Sequence, residues 1–197
     1  LFGSGFYLRN ANGTYTGLTV LENGVGVANA RGGGFYVQGG QPTFQSMVVQ
    51  ANIAITGAGI YLDNSAATLI QNTIQNNGNA TTIDGGGLYI TAGTTSLITN
   101  TVASNQAQHG GGLRLDNSTR TLRGNIVNDN RAATNPAPAG QNDGLGAGLY
   151  VVGGAPLITA NTISNNQAVH PLLSYGGGIY VAQTAMMLSG NTINANQ

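Results

Sequence analysis

The sequence predicts an all-β solenoid of about seven stacked coils. Three observations carry this. The block Gly85-Gly86-Gly87-Leu88-Tyr89-Ile90, with Leu97, Asn100-Thr101-Val102 and Asn105 behind it, returns as Gly176-Gly177-Gly178-Ile179-Tyr180-Val181, Leu188, Asn191-Thr192-Ile193 and Asn196. Counted from the Tyr position, seven copies keep the same residue classes in the same columns. Length varies at only one place in the repeat. A chain that repeats at this period stacks supersecondary units, each burying its apolar face on the next.

The Tyr position holds Tyr7, Tyr36, Tyr61, Tyr89, Arg114, Tyr150 and Tyr180. It is flanked before by Phe6, Phe35, Ile60, Leu88, Leu113, Leu149 and Ile179, and after by Leu8, Val37, Leu62, Ile90, Leu115, Val151 and Val181. Apolar residues on both sides of the Tyr predict a strand with its flanks inward and the Tyr outward. Two further apolar columns begin at Tyr15 and Val20 and end at Leu188 and Ile193. Gly fills the fourth and the second positions before every Tyr position, which predicts a corner needing positive φ or close backbone approach. Asn fills a column of its own: Asn23, Asn52, Asn77, Asn105, Asn130, Asn166 and Asn196. Stacked about 4.8 Å apart, these amides can donate each to the next, which satisfies a buried amide because its neighbour is also Asn. The Gly, Asn and Thr content and the absence of a 3.6-residue period argue against helices.

The units Gly-Gly-Gly-Ile-Tyr-Val and Asn161-Thr162-Ile163-Ser164-Asn165-Asn166 resemble the repeats of right-handed parallel β-helix proteins, in particular bacterial surface and autotransporter-like ones. The resemblance covers the whole chain. It implies a right-handed parallel β-helix (β-solenoid) forming one domain over residues 1–197. It is specific for fold and not for function, because that family mixes lyases, hydrolases, adhesins and filament proteins.

Only 6% of residues are charged, the net charge is zero, and the basic residues are all Arg. With no basic face, nucleic-acid binding is not expected. The chain has no Cys, hence neither a disulfide framework nor a thiolate metal site. No apolar run reaches membrane-spanning length, so no membrane insertion is expected. A Cys-free chain rich in Gly, Asn and Thr suits an extracellular or cell-surface bacterial protein. Cofactors and metals are not expected.

Coil one carries Tyr15 and Leu18 where later coils carry Leu and Asn. Coil five departs furthest. It puts Arg114 in the Tyr column and holds Arg114, Asp116, Arg120, Arg123, Asp129 and Arg131, half of the charged residues in the chain. A Pro-containing insertion, residues 132–140, follows it, and coil six has the corner 169–173. Neither end carries a polar cap. Abutting Gln197 on Leu1 of a second copy leaves 24 positions between Tyr180 and the next Tyr7, against a shortest internal spacing of 25. Head-to-tail stacking is compatible with that spacing, as is an excerpt from a longer β-helix.

Candidate chemistry is sparse. Asp63 and Asp116 share the second column after the Tyr, two coils apart, so about 9.6 Å on strand spacing. That is near the upper limit for the carboxylates of an inverting glycosidase, but Thr91 lies between them. Asp84 and His109 sit in one column of adjacent coils with no nucleophile beside them, and pairing at the surface is the simpler expectation. Tyr36, Tyr61, Tyr89, Tyr150 and Tyr180, with Arg114 and Asp116, are candidates for carbohydrate binding, although plain ladder stacking explains the column as well. Thr residues twelve places after the Tyr form an interrupted column that does not make a flat ice-binding face. Asn12, Asn79 and Asn117 head incidental N-x-Thr sequons. The leading expectation is a non-enzymatic structural protein that stacks copies end to end into a filament or surface fibre. The alternative is an adhesin or stalk segment that binds carbohydrate, and the third reading is a polysaccharide lyase or hydrolase fragment.

Overall fold

A computed structural model of the chain describes residues 2–24, 27–117, 119–133, 144–169 and 174–197. Residues 134–140 of the insertion and 170–173 of the corner lie outside the described residues. Among the described residues the chain forms strands only.

Three parallel seven-stranded sheets run the length of the solenoid. Sheet one holds the Tyr-position strands, from Phe6–Arg9 through Leu88–Thr91 to Ile179–Ala182. Sheet two runs from Thr14–Thr16 to Met187–Ser189, and sheet three from Thr19–Leu21 to Thr192–Asn194. The register follows the sequence columns without a slip: Tyr36 lies opposite Tyr61, Leu97 opposite Leu122, and Val102 opposite Val127. A one-residue slip would turn each apolar column outward, so burial of the columns fixes the register.

Four columns of the repeat lie in the left-handed backbone region in every coil. One is always Gly, four places before the Tyr position, with φ of 60° at Gly85 and 64° at Gly110. The other three have mixed identity: Ala92, Thr99 and Ser104 in coil four have φ of 46°, 52° and 54°. The second Gly column has a different origin. A Cβ on Gly87 would come 2.6 Å from the Gly112 carbonyl oxygen and 3.0 Å from Asn105 Nδ2, so this Gly makes room for the Asn column.

The core is one continuous cluster in which Phe35, Val37, Leu69, Ile74, Leu88, Ile90, Leu97, Val102, Leu149 and Ile163 are fully buried. The Asn column is buried with it and forms a ladder of one polarity. Asn52 donates its main-chain N–H and its amide to Asn77 Oδ1, both at 3.0 Å, and its second amide hydrogen to the Val20 carbonyl at 2.9 Å. Asn77, Asn105, Asn130 and Asn166 repeat this arrangement. A second ladder, Asn72-Asn100-Asn125-Asn161-Asn191, turns the corner between sheets two and three in the same way. Coils one and two have Leu18 and Met47 there, packed into the core.

The Tyr column is not an open stripe. Tyr36 and Tyr61 are 3% and 5% exposed. The column five places before the Tyr forms a row of bridges, Phe2-Arg31-Thr56-Asp84-His109-Leu145, and Leu145 pairs onward with Tyr175. Side chains of this row cover the Tyr column. Alternation along a strand puts Tyr outside sheet one correctly. Whether outside means solvent is decided by the returning corner.

Candidate functional site

The covering follows one rule. At four steps along the solenoid a side chain from the bridge row of one coil packs on the Tyr position of the next. Phe2 lies against Tyr36 at 5.1 Å between ring centroids, the Arg31 guanidinium over Tyr61 at 5.5 Å, and His109 against Tyr150 at 5.5 Å. Asp84 makes the same step onto Arg114, bonding Nη1. This accounts for the one exception in the Tyr column. Arg occupies it where the covering residue is a carboxylate. The planar guanidinium also keeps the stack, 5.2 Å from the Tyr89 centroid and 4.7 Å from that of Tyr150.

The hydroxyl ends are satisfied from the other side, two columns on. Tyr7 OH donates to Gln38 Oε1 and Tyr36 OH to Asp63 Oδ2, each at 3.0 Å, and Tyr89 OH to Asp116 Oδ2 at 2.5 Å. Asp116 also receives Arg114 Nε at 3.1 Å and Nη2 at 3.0 Å, a two-pronged pair. Asp84 Oδ1 takes His109 Nδ1 at 2.9 Å as well as the Arg114 contact. Asp84, Tyr89, His109, Arg114, Asp116 and Tyr150 therefore form one half-buried network spanning coils four to six.

Its electrostatics follow from burial and pairing. Burial, the hydrogen bond to Asp116 and the charge of Asp116 all hold the Tyr89 phenol protonated well above its usual range. Burial and the Asp63 hydrogen bond push Tyr36 up to about 12. Tyr61 and Tyr150 are raised mainly by burial, against the lowering charges of Arg31 and Arg114. Burial works against the Arg114 charge, but Asp116 and Asp84 more than offset it, and Arg114 stays a cation.

What this network can do chemically is limited. Each carboxylate already accepts from a donor of the chain, and no nucleophile touches the Asp84–His109 pair. Thr91 stands in register between Asp63 and Asp116 and leans 3.3 Å from Asp63 Oδ1. The Tyr faces are taken by neighbouring rings: Tyr7–Tyr36, Tyr36–Tyr61 and Tyr150–Tyr180 stack at 5.4, 5.1 and 4.9 Å, and Tyr61 meets Tyr89 edge-on at 5.1 Å. Rings in contact face to face present edges outward, and a sugar needs a free face. Among the described residues no group of three or more His, Cys, Asp or Glu could hold a metal ion.

A family model described as a right-handed β-helix region matches residues 4–197. The chain belongs to the right-handed β-helix family. No curated protein and no solved structure matches it. That family fixes the architecture and includes both enzymes and non-enzymes, so membership leaves activity to be argued from the residues.

Sequence reasoning put Tyr89, Arg114, Asp116 and Tyr150 in one candidate set with Tyr36, Tyr61 and Tyr180, and separately paired Asp84 with His109. It did not join the two groups. Arg31, Gln38 and Thr91 also belong to this surface. Their signal was their position in the two columns flanking the Tyr.

Proposed function

We propose that this chain is a non-enzymatic structural β-helix, extracellular, whose two end faces stack head to tail on a further copy. The observation that carries the reading is the polarity of the long Asn ladder. At one end Asn196 bonds back to the Ile163 carbonyl, and among the described residues its main-chain N–H and second amide hydrogen find no acceptor. At the other end, among the described residues, Asn23 Oδ1 receives no donor, while its own N–H and amide both go to Asn52. Donors at one end and an acceptor at the other are complementary.

Apolar surface supports the same contact. Phe6 and Tyr7 are exposed on the first coil, and Val181, Leu188 and Ile193 on the last. All strands are parallel, so the two ends differ and a contact between them is heterologous, which builds open filaments. The second ladder argues for a weaker junction. Asn191 would meet Leu18, which has no side-chain acceptor. The low charge is consistent with an absence of nucleic-acid partners. No helix is long and apolar enough to cross a membrane among the described residues. The occupied Tyr faces and paired carboxylates support neither sugar binding on the Tyr column nor glycoside hydrolysis.

Electron microscopy of the purified chain in dilute neutral buffer tests the stacking. Thin fibres with an axial repeat of about 34 Å, from seven coils at strand spacing, are expected. Discrete particles at every protein concentration would overturn self-stacking.

A further inference from the structure

Outside the closed network, polar side chains without partners converge at one place, the first corner of coils one to three. In this corner the left-handed residue is Asn10 in coil one and Asn64 in coil three, but Gly39 in coil two. The missing side chain opens a notch of about 310 Å³ lined by Arg9, Asn10, Gln38, Gly39, Asp63 and Asn64. A Cβ on Gly39 would reach into it and come 2.4 Å from Asn10 Oδ1. A second depression, lined in part by Asn12, Gly40, Gln41 and Thr94, adjoins it and shares Asn64. Among the described residues the side chains of Arg9, Asn10 and Asn64 make no hydrogen bond within the chain.

We propose that this notch binds a neutral, hydroxyl-rich glycan. The lining brings one cation and one carboxylate, so its formal charge cancels and a charged ligand gains little. The other side chains, Asn10, Gln38 and Asn64, are amides, each with a donor and an acceptor. Such groups suit vicinal hydroxyls, which also donate and accept. The amide columns repeat about every 4.8 Å along the solenoid axis, a spacing that lets successive sugar residues of one chain meet successive coils. The shared Asn64 joins two depressions for that purpose. No aromatic face lines the notch, so recognition rests on hydrogen bonds and single-sugar affinity is weak. The proposal goes beyond the structural role and does not depend on stacking.

Coil six supplies an internal control. Gly153-Gly154 repeats Gly39-Gly40 at the same corner, with Asn117 below it as Asn10 lies below Gly39. Its surroundings are Val152, Ala155 and Ala182, where coils two and three have Gln38, Gln41 and Asp63.

The test is a glycan array of neutral and acidic oligosaccharides probed with the labelled full chain, followed by titration of the best-retained neutral glycan. Gly39→Asn places there the residue found in this column in coils one and three; its Cβ makes the exposed Asn10 side chain turn aside, and the variant is expected to fold. It should weaken binding at least tenfold, as should Asn64→Ala, while Gly153→Asn leaves binding intact. Retention of no neutral glycan, retention of acidic glycans alone, or equal binding by Gly39→Asn would overturn the proposal.

Discussion

Arg120 is the residue that agrees least with its surroundings. It is 2% exposed, at a position where other coils place Ala67, Thr95, Pro156 or Met186. Its Nη2 donates to the Ala92 carbonyl, while Nε and Nη1 are buried without partners among the described residues. Burial lowers its pKa to about 9, and the Asp116 charge only partly resists this. A buried cation without a partner costs stability, and apolar replacement of such groups is often stabilising by roughly 1–4 kcal/mol. Arg120→Met, the residue of coil seven, is therefore expected to raise the urea midpoint at neutral pH. The sign with pH follows from the lowered value. The penalty is complete below pH 9 and is relieved as pH rises further toward the ordinary guanidinium range, so the gain from the variant should shrink above pH 9. Equal or lower stability of Arg120→Met at pH 7 would show that the guanidinium has a partner in solution. The sequence placed Arg120 among a group of coil-five charges. Its isolation was not legible there, because Arg114 and Asp116, also charged and close in sequence, are bonded to each other in a satisfied network.

Among the elements, the ladders between sheets resist substitution more than the sheets themselves. Asn100 joins three coils: it donates to Asn125 Oδ1 at 2.9 and 3.0 Å and to the Leu69 carbonyl at 2.9 Å, and accepts from Asn72 twice. Asn100→Leu keeps the volume but leaves the two Asn72 donors that now reach Asn100 Oδ1 buried and unpaired. At 1–3 kcal/mol for each of the two orphaned donors, a loss of about 2–6 kcal/mol is expected in chemical denaturation. Met47→Asn runs the comparison in reverse. Met47 N–H already bonds Asn72 Oδ1 at 3.0 Å, so an Asn there extends the ladder by a coil and should be tolerated far better than Asn100→Leu. The long ladder was legible because one residue type fills its column in all seven coils. The second was harder to see, since Leu18 and Met47 interrupt it. The three mixed left-handed corners left no mark on the sequence, because Asn, Ala, Ser, Thr, Gln, Glu and Asp all occupy them at modest cost. The covering of the Tyr column depends on how a corner of variable length returns, and a fixed column count carries no information about that path.

For the whole molecule, the buried tyrosines make stability depend on alkaline pH. Tyr36, Tyr61, Tyr89 and Tyr150, four of the eight tyrosines, have phenol pKa values raised above the ordinary 10.0, chiefly by burial. The folded chain keeps these protons where the unfolded chain loses them. Stability is thus unaffected below pH 10 and falls as pH rises from there toward the folded values, by about 1.4 kcal/mol per pH unit for each group still protonated. Relief of the Arg120 penalty runs the other way over the same range, but it is one group against four. The four tyrosines lie in coils two, three, four and six, so the loss is spread along the rod. In a solenoid each coil is held by its neighbours, and a weakening spread over many coils lowers the stability of the whole array together. The expected result is a urea midpoint that is flat from pH 7 to 10 and drops between 10 and 12, with phenolate absorbance from about half the tyrosines appearing only as the chain unfolds. If all tyrosines titrated together near pH 10 with the fold intact, the Tyr column would be open to solvent. The packing of Phe2, Arg31 and His109 over it would then not hold in solution.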